Sequence, residues 1–253
     1  MITSIVRTAE SQVFWADPRQ EPIDVLTGVL SQRELERALT YRRDADRRRF
    51  LTGAWLLRTT AAGHLGIAPE KVVVDRRCPD CDKYHGKPVV VNARTPLHVS
   101  VSHSADRVVV ALTEAGPVGV DVERIPTAPV EELVRIGLAA EEREIVLGLP
   151  EELRHAAFTH YWGCKEAVLK ATGHGLRVPP AKVRVSRPFD GPPALLSWPL
   201  DLPVENVRLS TLEPGDGYAG VVAVLTDRPL GVTETDATAL DRIPFRLPAA
   251  QAA

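Results

Sequence analysis

The order of its elements constrains this chain most. On either side of Gly116-Pro117 the sequence reads as helices followed by short β-branched strands, with one further strand opening the second side. In the first segment, apolar residues recur at three- and four-residue intervals over residues 31–41 and 46–63, the period of amphipathic helices. Ser31 and Glu34 have the spacing of a capping box at the start of the first of these. Strands are predicted over 72–74, 89–91, 97–102 and 108–112. The second segment opens on a strand over 118–122. Helices follow near 130–137, 140–147 and 152–172, and strands over 183–185, 207–211 and 220–225. This order predicts an α+β fold of two similar lobes, each with helices packed on a small antiparallel sheet. The first lobe spans residues 1–116 and the second 117–238, while 239–253 lacks periodicity and reads as a flexible tail. Identity between the halves is too weak to establish a duplication. Two lobes leave a cleft between them, where small-molecule sites commonly form.

Bulk properties exclude several classes. With 253 residues, 44% hydrophobic and 25% charged, the chain has the length and composition of a soluble globular protein with ample core. A net charge of -2 gives no general attraction to nucleic acid or anionic membrane. No stretch approaches the roughly 18 apolar residues of a membrane span. The opening MITSIVRTAE lacks the basic-then-apolar pattern of a secretory signal. Three cysteines, Cys78, Cys81 and Cys164, are too few for a disulfide framework, so a reducing cytoplasm is expected.

Chemistry concentrates in two places. In the strand GVDVE, alternation puts Asp121 and Glu123 on one face and Val120 and Val122 on the other. Some forty residues later, the helix WGCKEAVLK carries Glu166 and, one turn on, Lys170. Taken singly, the strand reads as a solvated acidic face and the helix pair as a surface ion pair. Together, three carboxylates and a lysine can hold a hard cation and a phosphate, since oxygen donors select Mg²⁺ and the ion neutralises charge on phosphoryl oxygens. Gly163 inside the helix costs about 1 kcal/mol relative to alanine, which suggests a close approach to the backbone there. Trp162 reads as a packing anchor.

These residues resemble a known family. The strand from Gly119 to Glu123 and the helix from Trp162 to Lys170 are similar to the paired motifs of 4'-phosphopantetheinyl transferases of the surfactin-synthetase-activating (Sfp) type. The resemblance implies a monomer of two similar α+β lobes with coenzyme A in the cleft. The implied reaction moves the 4'-phosphopantetheine arm of coenzyme A to a serine of an apo acyl or peptidyl carrier protein, releasing adenosine 3',5'-bisphosphate. The carriers would serve polyketide, nonribosomal peptide or fatty-acid synthases. It implies Asp121, Glu123 and Glu166 as Mg²⁺ ligands and Lys170 as a phosphate contact. Glu166, directly or through a water on the metal, would take the serine proton. Ser102 and His103 of the S-H-S tripeptide that ends at Ser104, Lys87 of HGKP, and Arg49 by its distance from Gly53 would contact coenzyme A. The remaining arginines of 42–49 read as a solvated face that could steer acidic carrier helices. His174 stands where the family has lysine, which puts a charged contact there in doubt.

A competing reading starts from Cys78, Cys81 and His85. Structural zinc takes four ligands, commonly in two pairs. Only three candidates lie close together here, so the expected state is free thiols in a loop. The alternative is a non-catalytic zinc-dependent module that binds nucleic acid or protein. A third reading keeps the acidic site but makes it a hydrolase of nucleotide pyrophosphates. Cys164, inside the helix, reads as packing.

Overall fold

The computed structural model describes residues 8–78, 80–81 and 83–242. Its elements run β1 (Ala9–Ala16), α1 (Ile23–Gly28), α2 (Gln32–Leu39), α3 (Asp44–Leu65), β2 (Val74–Arg77), β3 (Tyr84–Val90), β4 (His98–Ser104), β5 (Arg107–Thr113) and β6 (Val118–Arg124). After these come α4 (Glu131–Gly137), α5 (Ala140–Gly148), α6 (Glu151–Thr172), β7 (Arg184–Val185), β8 (Leu195–Ser197), β9 (Val207–Leu212), β10 (Tyr218–Leu225) and β11 (Leu230–Asp236).

Two sheets form the centre. One has the order β11-β1-β5-β4, the other β6-β10-β9. Alternation sorts their side chains into three packed layers. Val13, Trp15, Val109 and Ala111 of the first sheet meet Val118, Val120, Val122, Val222 and Val224 of the second. The outer face of the first sheet, with Phe14, Val108, Val110 and Leu112, packs on α3 through Leu51, Trp55 and Leu56. The outer face of the second, with Val221 and Ala223, packs on α6 through Cys164, Ala167 and Val168. The fold is therefore α+β with one long helix covering each sheet, as expected.

The Ser31 capping box forms, with both reciprocal bonds in place. Its buried Glu34 also pairs with Arg58 of α3 at 2.8 Å, which docks α2 on the longer helix. The expected strand over 72–74 shifts to Val74–Arg77, because a 3-10 turn occupies Pro69–Lys71 and ends in the residues before Val74.

Two strands that the sequence reading lacks change the wiring. β1 sits in the middle of the first sheet, and β11 pairs with it in parallel, Ala9 against Leu230 through Trp15 against Asp236. The first sheet is thus not purely antiparallel, and residues 230–236 lie in the sheet of the first segment rather than that of the second. In the expected tail, residues 239–242 belong to a 3-10 turn, Ala237–Arg242, with Leu240 packed on the first core. The rest of that tail, 243–253, lies outside the described residues, as do the first seven residues of the opening segment. No described helix is long and apolar enough to cross a membrane.

Candidate active site

A ladder of serines builds the site's frame. Strands β4 and β6 are edge strands of different sheets and run alongside each other. Ser100, Ser102 and Ser104 project toward β6 at alternate positions. The Ser100 hydroxyl accepts from the Val120 N–H at 3.0 Å, and that of Ser104 accepts from the Arg124 N–H at 3.1 Å. Between these, Ser102 donates to Asp121 Oδ1 and Ser104 to Glu123 Oε2, each at 2.9 Å. Hydroxyls stand in for the strand-to-strand bonds that an exposed edge lacks, and they fix both carboxylates in one register.

Helix α6 crosses over β6 from the other side. Its positions Trp162, Glu166 and Lys170 are half-buried while nearly everything around them is buried, a four-residue spacing that lines one side of a helix. The contact that sets the helix is at Gly119. A Cβ there would fall 2.0 Å from the Ala167 carbonyl oxygen and 2.4 Å from the Ala171 nitrogen. Gly163 carries no such demand: its Cβ would meet Val221 at 3.6 Å and Asp121 Oδ2 at 3.8 Å, ordinary contacts. The close approach expected at Gly163 is therefore made at Gly119, because the strand backbone, not a ligand, presses on the helix.

The result is a cavity of about 430 Å³ lined by α3, β4, β6 and α6. It brings together Arg49, Ser102, His103, Asp121, Glu123, Glu166 and Lys170 of the expected residues. Lys170 Nζ is bound to Asp121 Oδ1 at 2.6 Å, Ser102 Oγ at 2.8 Å and the Val120 carbonyl at 3.2 Å. Its protons, and the Ser102 hydroxyl, thus serve to hold Asp121 rather than pointing into open space. Asp121 is 2% exposed, and its second oxygen, Oδ2, is buried with no hydrogen-bond partner. Glu166 accepts no hydrogen bond from the described residues. Burial raises the pKa of Glu166 and of Glu123, and the neighbouring Asp121 charge pushes Glu123 further up. Burial lowers the pKa of His103, with Arg49 and Lys170 adding to the effect, so its imidazole is held neutral.

A cationic wall faces the acids. Arg49 pairs with Asp46 and donates to the Ala105 carbonyl at 3.2 Å. Arg37 and Arg76, absent from the sequence reading, line the same cavity. Arg76 is the sharper case, because its Nε is buried without a partner and burial lowers its pKa, with Glu34 opposing. A signal existed. In the sequence VVVDRR, Arg76 stands two residues after buried Val74, the spacing that turns a strand residue inward, although β2 is irregular between Asp75 and Arg77.

Other expected residues stand elsewhere. Lys87 is not part of the cavity wall; its ammonium donates to the Ala171 carbonyl at 2.9 Å, near the end of α6, and burial brings its pKa down to about 8. His174 packs edge-on against Trp198, ring centroids 5.6 Å apart. Lys165, the other lysine of the helix motif, is fully buried against Glu142 at 2.5 Å and is structural. Of the arginine run, Arg47 pairs with Asp44 at 2.6 Å, and Arg48 ties down the carbonyls of Pro18 and Glu21. Cys164 is buried, and its thiol pKa is pushed up to about 12, which suits packing and not nucleophilic chemistry.

The donor set fits a hard cation: three carboxylates in one cavity, one with an orphaned buried oxygen. Oxygens of Asp121, Glu123 and Glu166 do not all lie within 4.8 Å of one another, however. Among the described residues only Cys78, Cys81 and His85 reach that convergence. Mg²⁺ uses one or two carboxylates together with water and substrate oxygens, so full convergence is not required of it.

Fold and cleft together define a class, a two-lobed α+β protein whose cleft sets carboxylates opposite arginines, suited to a phosphorylated ligand. Comparison makes the class specific. The family model described as the 4'-phosphopantetheinyl transferase superfamily matches residues 117–222, and the one described as 4'-phosphopantetheinyl transferase, N-terminal, matches 14–115. The 4'-phosphopantetheinyl transferase HetI of Nostoc sp. is 34% identical over 169 residues, 64% of this chain and 69% of that protein. The 4'-phosphopantetheinyl transferase psf-1 of Bacillus pumilus is 32% identical over 157 residues, 62% of this chain and 64% of its own length. A solved holo-[acyl-carrier-protein] synthase of Thermotoga maritima covers 45% of this chain and 64% of its own, at 25% identity and a TM-score of 0.38. This chain belongs to the 4'-phosphopantetheinyl transferase family. The alternative of a zinc-dependent binding module falls as an account of what the chain is, because the family matches run through both lobes.

Proposed function

We propose that the cleft transfers the 4'-phosphopantetheine group of coenzyme A to a serine hydroxyl of an apo acyl or peptidyl carrier protein. The serine oxygen forms a bond to the phosphorus bearing the pantetheine arm, the bridging bond of the diphosphate breaks, and adenosine 3',5'-bisphosphate leaves. What carries the reading is the cavity in which Asp121, Glu123, Glu166 and Lys170 face Arg37, Arg49, Arg76 and His103.

Each side chain has a part. Guanidinium groups suit phosphate oxygens geometrically, and the partnerless Nε of Arg76 favours an anion at that wall. The neutral His103 ring adds a hydrogen bond without a charge to desolvate. Asp121, Glu123 and Glu166 would hold Mg²⁺, which when bound offsets the negative charge of the diphosphate. Glu166 takes the serine proton. It accepts no hydrogen bond from the described residues, which leaves a carboxylate oxygen open to the serine hydroxyl. Lys170 and Ser102 act on Asp121, holding it in place across the two sheets.

The finer reading is an Sfp-type transferase, a cytoplasmic monomer in which both lobes of one chain complete the cleft, with no part for nucleic acid or membrane. Its carriers are those of polyketide, nonribosomal peptide or fatty-acid synthases, and exposed Arg42 and Arg43 at the start of α3 offer acidic carrier helices a docking charge. Domains follow as 1–116 and 117–238, with β11 lent to the first sheet.

The experiment is intact-mass spectrometry of a panel of apo carriers incubated with the protein, coenzyme A and Mg²⁺. A phosphopantetheine adduct is expected on at least one, and none in the EDTA control. No adduct on any carrier removes the reading. Release of adenosine 3',5'-bisphosphate without a carrier would instead identify a coenzyme A pyrophosphate hydrolase.

A further inference from the structure

The β2–β3 hairpin carries a cluster that the cleft does not use. Its connection folds back on itself: the Cys78 N–H donates to the Lys83 carbonyl at 2.8 Å and the His85 N–H to the same oxygen at 3.0 Å. That turn brings one ligand atom each of Cys78, Cys81 and His85 within 4.8 Å of one another, with Cys81 Sγ and His85 Nε2 2.9 Å apart. Gly86 permits the approach, since a Cβ there would lie 2.6 Å from the Arg77 carbonyl oxygen. Neither cysteine is in a disulfide. Both stay available as ligands, and none of the three residues lines the cleft cavity.

We propose that Cys78, Cys81 and His85 bind one Zn²⁺, with water in the fourth position. Two thiolates and an imidazole are a soft-to-borderline donor set, which selects zinc and is wrong for Mg²⁺ or Ca²⁺. The nearby Asp80 has an oxygen 3.9 Å from Cys78 Sγ, but both its carboxylate oxygens are held by Arg177, at 2.8 and 2.9 Å. Solvent reaches the site through exposed Cys81 and His85. Binding releases the two thiol protons, leaving a neutral Zn(S⁻)₂(His) centre.

The expected free-thiol loop thus becomes a clasp. It closes the hairpin whose first strand aims Arg76 into the cleft and whose second strand anchors Lys87 on α6. Asp80, inside the clasp, ties it to Arg177 beyond the end of α6. The bound ion fastens this hairpin and, through it, the cationic wall.

The test uses the full-length chain, free of any histidine tag, reduced and purified without added metal. Elemental analysis is expected to find about one zinc per chain. Exchange for Co²⁺ should give a thiolate-to-metal charge-transfer band, which an all-oxygen cleft site cannot produce. Cys81→Ser and His85→Ala, both at exposed positions, should lose zinc and the band while keeping the far-UV circular dichroism of the parent. Zinc well below stoichiometric together with no charge-transfer band on Co²⁺ addition overturns the proposal. So does full zinc retention by both variants, which places the ion elsewhere. Should a variant fail to fold, the parent's Co²⁺ spectrum decides alone.

Discussion

Replacing Gly119 by alanine should be strongly destabilising. The new Cβ would sit 2.0 Å from the Ala167 oxygen, 2.4 Å from the Ala171 nitrogen and 2.9 Å from Lys170 Cβ. Two of these are helix backbone, which cannot rotate aside, so α6 must retreat from β6 by more than an ångström. Overpacking of this kind costs typically about 1–3 kcal/mol, and the backbone clash argues for about 3. For a domain of this size that is a fall in Tm of roughly 6–12 °C. The retreat also carries Glu166 and Lys170 away from Asp121. Gly163→Ala is the control on the same helix, where the added methyl makes only ordinary contacts and gains about 1 kcal/mol of helix propensity. Urea denaturation of both variants beside the parent, with carrier modification followed by mass, reads the difference. If Gly119→Ala unfolds at the parent's midpoint, or Gly163→Ala falls as far, then the backbone contact does not set the helix position.

Other expectations follow from the same geometry. Lys165→Ala leaves Glu142 buried without its partner and should lose about 3–5 kcal/mol by denaturant titration; parental stability would make that ion pair dispensable. Arg76→Met should raise the KM for coenzyme A several-fold with kcat little changed and stability equal or higher, since a half-buried guanidinium whose Nε lacks a partner is removed; an unchanged KM denies it a part in binding. Glu166→Gln should raise Tm in EDTA at neutral pH and abolish transfer when Mg²⁺ is present. A folded pKa raised above the unfolded value means that ionisation costs stability as pH rises through it, so the variant's advantage should vanish below the ordinary glutamate range; an advantage that persists in acid contradicts the burial account. Lys87 runs the other way: its folded pKa near 8 lies below the unfolded value, so the protein should gain stability as pH rises from about 8 toward the ordinary lysine range. Lys87→Met should abolish that gain, and persistence of the slope would assign it to another group.

What the sequence shows and what it hides divide along physical lines. Periodicity locates the long helices α3 and α6 to within a few residues, because each has one sheet to cover and a strong apolar pattern. It misses β1 for the opposite reason. From Val13 to Ala16 the strand is buried on both faces between α3 and the second sheet, so alternation disappears where it is most central. β11 is missed because it is a polar edge strand, LGVTETD, with little apolar signal to read. The carboxylates of the site are legible as a pair of spaced motifs. The opposing wall is not, since Arg37 and Arg76 reach the cavity from different elements and nothing local marks their convergence.

The serines mark the deepest difference between a motif and its use. Read along the chain, Ser102-His103-Ser104 looks like a single anion-binding tripeptide. In the fold, alternation splits it: His103 lines the cleft with Arg49, while Ser102, which also lines it, and Ser104 turn to β6 and hold Asp121 and Glu123. Contacts at Ser100–Val120, Ser102–Asp121 and Ser104–Arg124 advance in step along both strands, as in a parallel pairing with hydroxyls replacing amides. A backbone ladder would have sealed the two sheets into one and buried this edge. A hydroxyl ladder keeps them attached, leaves a carboxylate oxygen of Asp121 unsatisfied beside the cavity, and lets residues from both lobes act on one ligand. The cleft therefore exists because these strands are joined through side chains, and its chemistry depends on which side chains those are.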